Sequence, residues 1–387
     1  MTLKDPAEIA TPDDTPGLTN WRNKVMEQYE LLGLELPEVF TIWTAFPMAG
    51  NNYGTYIDPR ENDVSGIGIS PKTSSTPPVK AFLWHNNILA MPQRSALHDA
   101  PEEGYARYLF LLELSHLWGP AAQVPDPNPG DLIGFPYHWS FFRDQPGPAG
   151  GNAWTDNNDG TFTVIPGDPA TVQYNMLDLY LMGLAEPEEV TPFGALVNTT
   201  VPDMPTDPFW GGAYAPRSFP WFNTVDPPLT VTATRREMTI DDIIAANGPR
   251  SPGAGVKTSW TIGIVLIVKA DATEAEIDEA QAAFDPVANN LAPWFNDATQ
   301  GRGTLEVVSN YEEGTGGAGG GGVGGGGTGG STGDGATTSS GSGGKDDGDG
   351  EGGDDDGCGC SSTKSSGGAG VLGVALALAL ALRRRRD

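Results

Sequence analysis

The chain has 387 residues, with 50 acidic against 22 basic side chains and a formal net charge of -28. That balance argues against nucleic acid as a partner, because phosphates and an acidic surface repel each other. The two cysteines, Cys358 and Cys360, both lie near the C-terminus, so residues 1–357 carry no disulfide and must rely on an apolar core.

In chain order, residues 1–17 are expected to form an unstructured N-terminal segment. They show neither the basic n-region nor the apolar h-region of a signal peptide. For a chain read below as exported, this leads to the expectation of an N-terminus that continues upstream. Residues 18–312 read as the globular part. A short helix is predicted over 21–32, with short strands at 41–46 and 66–70 and another over 79–90. The strongest helical pattern covers 102–118. A hairpin arm is predicted over 160–165, after the turn residues Asp156, Asn158 and Gly160, and a helix or tight turn over 174–184. The apolar run 260–270 reads as a buried strand. An amphipathic helix follows over 273–295, with Glu276 three positions after Thr273 as a capping box. Strands mixed with helices give an α+β fold with a mixed sheet.

Residues 313–357 are rich in Gly, Ser and Asp and form a flexible, charge-extended linker. Residues 358–387 differ in kind. Cys358 and Cys360 precede an apolar helical run of roughly 15 residues, short of the ~20 needed to cross a bilayer. Arg383, Arg384, Arg385 and Arg386 then form a basic membrane stop. Cysteine motif, apolar helix and arginine cluster in this order resemble the Myxo-Cterm sorting tail of myxobacterial surface proteins. The resemblance implies export, processing near Cys358 or Cys360 by a sorting protease, and retention at the cell surface or membrane through the C-terminus.

The chemistry centres on residues 109–119, Leu-Phe-Leu-Leu-Glu-Leu-Ser-His-Leu-Trp-Gly. Positions four apart share one face of a helix. In the HExxH motif two such histidines bind zinc, and the glutamate beside the first deprotonates zinc-bound water. Here Glu113, His116 and Gly119 fit that pattern, but position 112 is Leu, which has no lone pair to donate. Downstream, residues 137–142 hold His138 among aromatics, 154–162 hold the hairpin turn, and 174–183 hold Asp178.

Together with residues 63–68, these segments resemble, in order, secreted myxobacterial proteins with a zincin-like domain whose helix reads HELGHxWG. The likeness spans roughly residues 55–310. It implies a zincin-like domain with Glu113 at the general-base position and His116 at a zinc-ligand position. His138 and, as its rival, Asp178 are the candidates for a further ligand. Each has a plainer alternative: His138 as a ring packed among aromatics, Asp178 as a turn carboxylate satisfied by backbone amides. Met182 fits a hydrophobic floor or plain core, and Tyr174 and Tyr180 are possible oxyanion donors. His85 and His98 lack ligand spacing to His116.

Losing one imidazole from the metal shell costs more than the ~10–100-fold of an outer-shell change. The expected function is therefore a surface-tethered, metallopeptidase-like protein with weakened zinc binding, a degenerate relative of the enzymes. Two alternatives stand beside it: an active zinc metallopeptidase with a substitute ligand, or a non-catalytic binding or structural protein whose partner is an extracellular protein or peptide. A carbohydrate-binding module would need several exposed tryptophans on one face, whereas Trp43, Trp84, Trp118, Trp139 and Trp154 sit among apolar neighbours.

Overall fold

A computed structural model of the chain describes residues 1–4, 15–48, 54–74, 76–96, 100–124, 132–133, 137–200 and 229–308. The linker, the apolar tail, Cys358, Cys360, Arg383, Arg384, Arg385, Arg386 and His98 lie outside the described residues. The elements are β1 (Thr2–Lys4), α1 (Thr15–Leu31), β2 (Val39–Thr44), β3 (Tyr56–Pro59), β4 (Ala81–Asn87), α2 (Met91–Ala96) and α3 (Glu102–Ser115). They continue with β5 (Trp139–Asp144), β6 (Gly150–Asp156), β7 (Thr161–Ile165), α4 (Met176–Met182), β8 (Phe193–Thr200) and β9 (Thr230–Met238). The last four are α5 (Ile240–Asn247), β10 (Ser259–Val268), α6 (Glu274–Ala298) and β11 (Thr304–Val307). The chain is thus α+β with mixed pairing, as its pattern of elements suggested.

The main sheet runs β1-β10-β2-β4-β3, with β11 also on β10. All its pairings are parallel except that of β3 with β4. The central strands β2 and β4 are buried at every position, as parallel strands covered on both faces must be. Their alternation sorts side chains to two sides. Val39, Trp43, Ala81, Leu83 and Leu266 join the large core beneath α3 and α6. Phe40, Ile42, Phe82, Trp84 and Ile267 face Trp21, Val25 and Tyr29 of α1. The second sheet is a closed barrel, β5-β6-β7-β9-β8, filled by Phe141, Trp154, Phe162, Val164, Leu196 and Val231. Trp139, Phe193 and Met238 of the barrel strands belong to the large core, so sheet and barrel share one apolar interior.

Three expectations need correction. Thr2–Lys4 and Thr15–Gly17, expected to be unstructured, form β1 and the start of α1. Residues 66–70 form no strand. Gly66 and Gly68 hold φ of +79° and +81°, and a Cβ at either would strike the backbone of Pro249 or Ala121. That segment is a pair of close backbone crossings that glycine alone allows. The third concerns α3, which ends at Ser115 instead of reaching 118. The N–H groups of His116, Leu117 and Trp118 donate to carbonyls three residues back, so the last turn tightens and hands the end of the helix to a loop. By contrast, Thr273 and Glu276 form the expected capping box at the start of α6.

Candidate functional site

α3 lies against the main sheet, and twelve of its residues from Gly104 to Ser115 are buried. It is a core helix with polar groups at its end. Leu112, where the HExxH pattern would carry its first histidine, is 1% exposed and part of the large core. Glu113 beside it is also 1% exposed. Its carboxyl is turned toward the segment before β3, where Thr55 Oγ1 donates to Glu113 Oε1 at 2.6 Å. Burial pushes the Glu113 pKa up to about 8, against the opposing pull of the Thr55 hydrogen bond and the Arg94 charge. At neutral pH Glu113 is therefore largely a neutral acid, not a carboxylate ready to accept a proton.

His116 caps the C-terminus of α3. His138 stands one residue before β5. The structure brings their rings edge to face, with centroids 4.9 Å apart. Both are buried, at 7% and 2% exposure. His116 Nδ1 has no hydrogen-bond partner. Burial first, and then neighbouring His138, hold the His116 pKa well below the usual imidazole range, while a backbone hydrogen bond at Gly119 opposes them. The imidazole is thus neutral at physiological pH, the form that binds metals.

Asp178 is committed elsewhere. It is the N3 residue of α4 in a capping box with Asn175. Trp139 Nε1 donates to its Oδ1 at 2.7 Å, and Asn175 Nδ2 donates to its Oδ2 at 2.7 Å. Arg143 lies 4.0 Å from Oδ1 and stacks on the Trp139 ring at 4.4 Å. Burial raises the Asp178 pKa, opposed by Arg143, Trp139 and the Asn175 amide. This carboxylate joins α4 to the barrel.

The remaining candidates are also placed. Tyr174 donates its hydroxyl to the Leu111 carbonyl at 2.8 Å, and the Tyr180 hydroxyl accepts from the Arg250 N–H at 3.0 Å. Met182 is core, at 2% exposure. In the hairpin turn between β6 and β7, Asp156 Oδ1 accepts from the Asn158 N–H at 2.8 Å. The five tryptophans considered for sugar binding are all buried. His85 is fully buried, stacks on Trp43 at 4.4 Å, and has no hydrogen-bond partner on either ring nitrogen. Sequence reading missed Thr55, Arg94 and Arg143. Only contacts across the fold reveal them, because nothing in their own neighbourhoods marks them.

A catalytic zinc needs three protein ligands and an open position. At the end of α3 the donors among the described residues are two imidazoles. Among the described residues no group of three His, Cys, Asp or Glu side chains is placed to hold a metal ion. The described residues there do not by themselves make up the shell of a catalytic zinc. No protein-family model, curated protein or solved structure matches the chain.

Proposed function

We propose that this chain is an exported protein tethered to the cell surface by its C-terminal tail, whose folded part is a metallopeptidase-like scaffold that binds an extracellular protein or peptide and does not cut it. One observation carries the reading: the general-base position is spent on structure. Glu113 is buried, retains its proton near neutral pH and is held by Thr55. Leu112 fills the neighbouring ligand position with an apolar side chain packed in the core. A general base has to be ionised and within reach of the water it activates. The basic stop and cysteine pair of the tail support the tethering, on sequence pattern alone.

A second reading, an active enzyme with a substitute ligand, is favoured by the contact of His116 with His138 and by the bare Nδ1 of His116. The two separate on metal content. The full chain and its Leu112→His variant are purified with trace zinc, and zinc is counted by elemental mass spectrometry beside a peptide-hydrolysis assay. The proposal expects wild type to hold no stoichiometric zinc and to leave peptides intact. One zinc per wild-type chain together with hydrolysis would establish the second reading instead.

A further inference from the structure

One lane beside β10 is filled by two separate pieces of chain. β11 pairs in parallel with residues 259–262, and β1 pairs in parallel with residues 266–268. The pieces meet end to end. Val308 donates its N–H to the Ile262 carbonyl at 2.9 Å, and the Met1 nitrogen donates to the Ile264 carbonyl at 2.9 Å. The Met1 carbonyl accepts from the Leu266 N–H at 2.8 Å. A parallel ladder advances evenly, residue for residue. Had β11 run on in register, Asn310 and Glu312 would stand opposite Val265 and Ile267. Met1 and Leu3 hold those places.

The side chains explain the change of strand. Val265 and Ile267 are fully buried, and Met1 and Leu3 pack against the same core cluster. Glu312 at the place of Leu3 would put a carboxylate against an apolar core with no partner. Thr2 points to the other face, where Gln281 Nε2 donates to its hydroxyl at 3.1 Å. The seat therefore asks for an apolar, polar, apolar sequence, which Met1, Thr2 and Leu3 supply and the continuation of β11 does not. With only three paired positions, β1 is a short edge strand. Its departure would bare a parallel edge of β10, a template for another strand.

We propose that this edge of β10 is an interaction surface that accepts residues 1–4 of a second copy of the chain, giving a two-fold strand-exchanged dimer. The fit argues for a second copy, since each copy carries the one segment shown to match the seat. Exchange rebuilds in the partner the contacts that β1 makes at home, so it needs no new complementary surface. The charge of -28 on each chain opposes association at low ionic strength, so the dimer gains with added salt.

The mass of the full chain is measured by light scattering over a wide concentration range in moderate salt. The mass is expected to rise from one chain to two. An excess of the peptide Met-Thr-Leu-Lys is expected to return it to one, and Leu3→Asp to keep it there. The peptide arm uses wild-type protein, so the test survives a Leu3→Asp variant that does not fold. A single-chain mass throughout overturns the proposal. So does a dimer indifferent to the peptide, which would place association on another surface such as the tail.

Discussion

The rings of His116 and His138, 22 positions apart in sequence, meet edge to face with centroids 4.9 Å apart. Glu113, only three positions before His116, accepts the hydroxyl of Thr55. The end of α3 and the start of β5 thus bring two buried imidazoles into contact, while Glu113 is bonded into the core, and this division leads to the first prediction.

Glu113 makes stability depend on pH. Its folded pKa of about 8 lies above its ordinary value of 4.5, so the folded state holds the proton more tightly than the unfolded state. Its contribution is fully present below about pH 4.5 and is lost as pH rises through about 8. Glu113→Gln, which imitates the protonated acid, is expected to flatten this loss. At pH 9 the variant should be the more stable protein by on the order of a few kcal/mol, read as urea midpoints at pH 5, 7 and 9. Parallel curves for the two proteins would show that the carboxyl ionises without cost.

His85 works in the opposite sense. Burial, aided by the Arg94 charge, lowers its pKa from 6.5 to about 3. The unfolded state then takes up the proton first, so stability falls as pH drops from 6.5 toward 3. His85→Phe replaces a ring without hydrogen bonds by an apolar one stacked on Trp43. It is expected to be neutral or stabilising by about 1 kcal/mol at pH 7 and to reduce the loss on going to pH 5. Urea melts at the two pH values check both signs.

Arg143 and Asp178 form a buried pair at 4.0 Å. Removing one partner strands the other charge, so Arg143→Met and Asp178→Asn should each cost about 3–5 kcal/mol. The double variant should cost clearly less than the sum, because neither charge is then left alone. Additive losses in a double-mutant cycle would show that the two residues act through separate contacts.

Gly68 and Gly160 both hold positive φ, +81° and +85°, but a Cβ at Gly68 strikes backbone while one at Gly160 meets open space. Gly160→Ala should cost about 1 kcal/mol, the backbone strain alone. Gly68→Ala should cost well beyond that, since the crossing with Ala121 must open. The two melting temperatures, compared in one buffer, separate conformational strain from steric exclusion.

What the sequence by itself determined is local or compositional. The run Trp-Thr-Ile-Gly-Ile-Val-Leu-Ile-Val reads as a buried strand, and it became most of β10. The spacing of Thr273 and Glu276 marked the start of α6. Each signal is complete within a few consecutive residues. The barrel was largely illegible beyond its β7 arm: β9, Thr-Val-Thr-Ala-Thr-Arg-Arg-Glu-Met, is half exposed and polar, so its membership rests on pairing with β7 and β8 and not on its own pattern. The tertiary structure alone decided which way the polar side chains of α3 and α4 face. Glu113 found Thr55, His116 found His138, and Asp178 found Trp139 and Asn175. A buried polar group must take whatever partner packing brings to it, and packing joins residues far apart along the chain, which no local pattern records.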